Sequence, residues 1–183
     1  MKKLLVLLLG IFLLSSGCIT VQSYTKLGVD FSKIKKIAIV KLDSHDPLLS
    51  QIVTDHISLG FRKEGFKIIE KERLKVIIDE NAVIQSGLTE QDRKTLSLAG
   101  IDGVIVGTVR ARNYYKGSIG ATKKLAIGTS REDEKLQVTV KMFDIENNDV
   151  VWSANIHELD PRDLDEIGEG LAKSVKIKKR IAE

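Results

Sequence analysis

The chain has 183 residues, 43% of them hydrophobic and 30% charged, with 29 Lys and Arg against 25 Asp and Glu and a single cysteine. That apolar fraction excludes wholesale disorder, and the lone thiol excludes an internal disulfide or a cysteine-based metal site, so stability must come from packing. The formal charge of +4 includes Lys2 and Lys3, and the rest is spread among interspersed acids and bases, which is not the footprint of a nucleic-acid binder.

Lys2 and Lys3 precede an apolar run from Leu4 to Leu14, followed by Ser15, Ser16 and Gly17 and then Cys18. About eleven apolar residues are too few to span a bilayer as a permanent helix, and the basic start and small residues fit an export signal that is cleaved. The segment resembles that of bacterial lipoproteins, in which the cysteine becomes the acylated first residue. Residues 1–17 are thus expected to be a signal peptide and 18–33 a lipidated N-terminus with a short linker. Fully extended, Ile19 to Lys33 reaches only about 50 Å at roughly 3.3 Å per residue. The domain expected over 34–183 must therefore sit close to its membrane.

Ile37 to Val40 is an unbroken apolar run with β-branched residues, as expected of a strand buried on both faces. Asp46-Pro47 supplies an N-cap and a proline at the first helical position, and Leu49, Ile52, Val53, His56, Ile57 and Phe61 follow at helical spacing up to Gly65. Phe66 to Ile69 reads as a second strand, with Leu74, Ile77 and Ile78 on one face of a helix after it. Thr89 and Asp92 form a capping-box start to a further helix ending near Gly100, and Val104 to Val109 is a third strand. The period then becomes two: Leu136, Val138, Val140 and Met142 alternate with Lys135, Gln137, Thr139 and Lys141, which implies a sheet with one exposed face. Glu146 to Asp149 has hairpin turn chemistry, and Val150, Trp152, Ala154 and Ile156 continue the alternation. Asp160-Pro161 opens a last helix with Leu164, Ile167, Leu171 and Val175 along one stripe. The pattern predicts an α/β sandwich with a mixed sheet, ordered βαβα(α)β, then a ββ hairpin, then α. Arg110 to Glu134 is too long for a tight turn and is either a protruding hairpin or a surface loop near 110–134.

Gly117 to Lys124 imitates a phosphate-binding loop but lacks the glycine before the lysine and the Ser or Thr after it. None of His45, His56 and His157 has a second histidine at the spacing that puts two ligands on one helix face, so no metal site is expected. His56 lies on an apolar stripe and reads as a core or boundary residue. Asp43, His45 and Asp46 occupy the loop after the first strand, where α/β sheets often bind ligands, and form the candidate ligand loop. No G-x-S-x-G elbow is present, so no catalytic residue or cofactor is assigned. Trp152, at an alternating apolar position, is expected in the core. Lys176, Lys178, Lys179 and Arg180 read as a solvated helix face, with anionic-lipid contact as the other reading.

Lys36-Ile37-Ala38-Ile39-Val40, Gly65 to Leu74, Ala99 to Val109, and Val138 to Ile145 through Val150-Val151-Trp152-Ser153 together resemble the family of the curli secretion lipoprotein CsgG and the related LpoB activators of penicillin-binding proteins. The resemblance implies a non-catalytic periplasmic domain, anchored in the outer membrane by lipid on Cys18, that acts in secretion or envelope assembly as a homo-oligomer or with an envelope protein partner. In the curli channel each subunit gives two hairpins to a membrane barrel. Gly117 to Leu136 resembles the first, with Gly117, Gly120, Lys123, Lys124 and Gly128 as the candidate interaction hairpin. The second has no room between His157 and Asp160. Charges on Lys123, Lys124 and Arg131 to Glu134 would be costly in lipid, where a cation at the midplane costs about 2 to 4 kcal/mol. An activator needs a long tether to its synthase. The favoured reading is a compact secretion-type member, ring-forming or accessory. The alternatives are a periplasmic small-ligand-binding lipoprotein and an activator of a peptidoglycan synthase.

Overall fold

The computed structural model describes residues 20–40, 42–70, 87–116 and 131–177. Its strands are β1 (Val21–Thr25), β2 (Lys36–Ile39), β3 (Lys67–Glu70), β4 (Gly103–Lys116), β5 (Arg131–Asp144) and β6 (Val150–Leu159). Its helices are α1 (Pro47–Lys63), α2 (Glu90–Leu98) and α3 (Leu164–Ile177), the last preceded by a 3-10 turn, Pro161–Asp163. One mixed sheet runs β1-β6-β5-β4-β2-β3. β2 is parallel to both β3 and β4, and the remaining pairs are antiparallel. This is the expected α/β sandwich with a mixed sheet.

β2 shows why the apolar run is continuous. Ile37 and Ile39 join Ile105, Val109, Val140 and Trp152 in the core beneath α1 and α3, while Ala38 and Val40 join Val104, Val106 and Leu96 beneath α2. Both faces are buried, as in parallel sheets generally. On β5 the alternation is one-sided: Leu136, Val138, Val140 and Met142 are buried, and Lys135, Gln137, Thr139 and Lys141 are half-buried on the other face. Trp152 is fully buried, edge-on to Phe61 with ring centroids 6.0 Å apart, and its Nε1 donates to Ser174 Oγ at 3.2 Å.

The caps form as the sequence indicates. Asp46 Oδ1 accepts from Leu48 and Leu49 N–H at 2.8 and 3.2 Å, and Thr89 and Asp92 close a reciprocal box. In the β5–β6 turn Asn148 takes φ 59°, a left-handed conformation that asparagine tolerates, and its amide brackets the Leu88 backbone.

One expectation is corrected. Within the expected linker, the described residues from 20 on are built into the domain: Val21–Thr25 is an edge strand antiparallel to β6, Val29 and Phe31 pack against the main core, and Ile34 just beyond is buried. The strand escapes a sequence reading because five residues with alternating Gln22 and Tyr24 carry little signal without the distant partner that pairs with them. The helix expected around Leu74 to Ile78 lies outside the described residues.

Candidate interaction surface

The loop after β2 runs beside β4 as a backbone extension of the sheet. Asp43 N–H donates to Gly107 O and Asp43 O accepts from Val109 N–H, both at 2.9 Å. That fixes Asp43 and His45 next to Arg110 of β4, which sequence reasoning did not single out. Asp43 Oδ2 lies 3.6 Å from Arg110 Nη2, and His45 Nε2 lies 3.0 Å from Arg110 Nη1. A guanidinium can only donate, so Nε2 is the acceptor and the imidazole proton is on Nδ1. Asp46 faces the helix it caps. The three candidate residues are thus brought together, with Asp43 and His45 holding an arginine and Asp46 holding α1. Among the described residues no group of three His, Cys, Asp or Glu is placed to hold a metal ion.

The second feature is the β4–β5 ladder, which runs in register from Gly103 opposite Asp144 to Lys116 opposite Arg131. The segment read as either hairpin or loop is thus a hairpin stem as far as that rung. β6 accompanies β5 only as far as the Leu136–Leu159 pair. Beyond it, among the described residues, the two strands pair only with each other, with Arg112 opposite Lys135 and Lys116 opposite Arg131 in register. Like charges directly opposite are unfavourable in an antiparallel pair. Lys135 is relieved by Asp160, 2.9 Å from its ammonium, and Asp160 also takes the guanidinium of Arg162 at 2.8 and 2.9 Å. These cations hold the Asp160 carboxyl far below the usual carboxylate range, the Arg162 side chain contributing most, then the Arg162 N–H, then Lys135. At the other end of the sheet a cleft of about 660 Å³ opens between the 26–34 segment and the β5–β6 turn. Three of its carboxylates are used internally: Asp149 pairs with Lys26, Asp144 with the turn amides, and Asp102 with the N–H groups of Lys35 and Lys36.

The family model for the curli production assembly/transport component CsgG matches residues 30–157, well over half of the sequence. The chain belongs to the CsgG family. No curated protein matches the sequence. Among solved structures, a PelC dodecamer from Paraburkholderia phytofirmans aligns with 15% identity and a TM-score of 0.49, over 86% of this chain and 94% of that one. A neuraminyllactose-binding hemagglutinin homolog from Helicobacter pylori aligns with 9% identity and a TM-score of 0.40, over 80% and 82%. This CsgG-family domain holds His56 midway along α1, half-buried, with Nδ1 3.2 Å from the Asp165 carboxylate. Cys18, Gly117, Gly120, Lys123, Lys124 and Gly128 lie outside the described residues. Arg112 and Lys135 were missed because their significance depends on pairing register; a cation at every second position, Arg110 and Arg112, was the available signal.

Proposed function

We propose that this CsgG-family chain is a non-enzymatic lipoprotein, acylated on Cys18, held at the periplasmic face of the outer membrane, and a structural or accessory component of secretion or envelope assembly. It works through self-association and partner contacts, with the hairpin near 110–134, including Gly117, Gly120, Lys123, Lys124 and Gly128, as a contact element. The family match over residues 30–157 carries this reading. The outer face of α1 supports self-association. Leu48, Ile52 and Leu59 fall on one helical stripe and are 67%, 37% and 50% exposed. Leu48 and Ile52, one turn apart, form an exposed apolar pair of the kind that marks contact sites, and exposed Asp55 separates them from Leu59.

The test is the native mass of the full chain extracted in mild detergent, for wild type and for Leu48→Glu/Ile52→Glu. Wild type is expected to run as a closed oligomer and the double variant as a monomer with an unchanged thermal transition. A monomeric wild type sinks the self-association reading.

A further inference from the structure

Among the described residues the outer edge of β1 is unpaired and unguarded. β1 pairs with β6 alone, with Thr25 opposite Trp152, and Lys26 N–H donates to Val151 O. Hydrogen bonding in an antiparallel ladder alternates along the strand, so Gln22 and Tyr24 turn their backbone groups to β6, whereas Val21, Ser23 and Thr25 turn theirs outward. Among the described residues no backbone group meets them. Folded domains blunt such an edge with charges, proline or a bulge. Val21–Thr25 has no charge and no proline, and its register with β6 runs without a shift. Lys26, the first charge after it, is held by Asp149.

The strand is also complementary to itself. When it is set antiparallel to a second β1 with Ser23 on the two-fold axis, Val21 falls opposite the partner's Thr25 on one face, and Gln22 opposite the partner's Tyr24 on the other. The first pair is β-branched against β-branched and the second an amide beside a phenol, both of them exposed, and no charge faces a like charge. The outward groups of Val21, Ser23 and Thr25 then bond to their counterparts. Such a contact is isologous and uses both edges at once, so it stops at two copies.

We propose that two copies of this chain join β1 to β1, antiparallel about Ser23, continuing the six-stranded sheet of one copy into the next. This rests on the self-association proposed above, because a ladder of five residues is marginal alone and needs copies already held together. The test co-expresses full chains carrying Gln22→Cys and Tyr24→Cys, extracts them in mild detergent and oxidises them. Gln22 and the partner's Tyr24 form a non-hydrogen-bonded pair with Cα atoms about 4.5 Å apart, within disulfide reach. Gln22 lies about 8 Å from its own counterpart, beyond the ~7 Å limit for a bridge. The mixture is therefore expected to cross-link several-fold more than either variant alone. Ser23→Pro added to both chains, which removes an outward N–H and leaves the bonds to β6, should abolish that difference while the thermal transition is kept. Oligomers in which the mixture cross-links no more than the single variants overturn the β1 contact and leave self-association standing. A monomeric wild type overturns both.

Discussion

Asp160 shows how much one residue can combine and how little of that is visible in one dimension. Its carboxylate accepts from Arg162 N–H at 3.0 Å, capping the 3-10 turn, and pairs with the Arg162 guanidinium and with Lys135. The cap was legible from Asp160-Pro161, but the Lys135 contact depends on how β5 passes the end of β6. With the native carboxyl held far below its usual value, the unfolded chain binds its proton first, near a pKa of about 4. The stabilisation is complete above the unfolded value and is lost as pH falls toward the depressed native one. Asp160→Asn keeps an oxygen for the cap and removes the charge. Since the carboxylate is partly exposed and solvent screens its pairs, the loss in melting temperature should be modest, a few degrees. It should be constant from neutral pH to about 5 and narrow on further acidification. A gap that widens in acid would refute the assignment.

At the scale of elements, most helix starts and the β5–β6 hairpin were readable because each carries its own local chemistry: Asp46-Pro47, Thr89 with Asp92, and the Asn147-Asn148 turn. The crossing of α1 and α3 was not, although its determinants are two ordinary-looking glycines. A Cβ added at Gly60 would overlap the Gly168 backbone, and one at Gly168 would overlap the His56 carbonyl oxygen. Closeness of the helix axes lets both helices bury Val53, Ile57, Phe61, Ile167 and Leu171 in one core. Two effects compete in Gly168→Ala: alanine gains up to about 1 kcal/mol of helix propensity, whereas forcing a packed interface apart costs about 1 to 3 kcal/mol or more. Because the obstacle is backbone and cannot rotate away, overlap should win. Urea denaturation should give a net destabilisation of about 1 to 2 kcal/mol; a variant as stable as wild type would mean the helices separate freely.

For the whole molecule, the parallel half of the sheet was legible because β2, β3 and β4 are joined by successive crossovers whose caps and apolar runs lie close together in sequence. The far edge was not, since β1 gains its identity from β6 near the opposite end of the chain, with Val21 opposite Ile156 and Thr25 opposite Trp152. That pairing makes the N-terminus structural. Val21 Cγ2 also approaches Gly170 of α3, and Lys26 N–H donates to Val151 O at 3.0 Å, continuing the edge. A chain starting at Ile19 should therefore fold with full stability. One starting at Lys26 loses a five-residue ladder and exposes the edge of β6, whose unpaired backbone invites intermolecular strand pairing. At roughly 0.5 to 1.5 kcal/mol per hydrogen bond, the loss amounts to a few kcal/mol, a large part of the 5 to 15 kcal/mol typical of a domain. Urea unfolding of the two chains measures it, with the shorter expected to have a clearly lower midpoint and a tendency to aggregate. Equal midpoints would make β1 an appendage, and would return the segment after Cys18 to the linker that its sequence suggests.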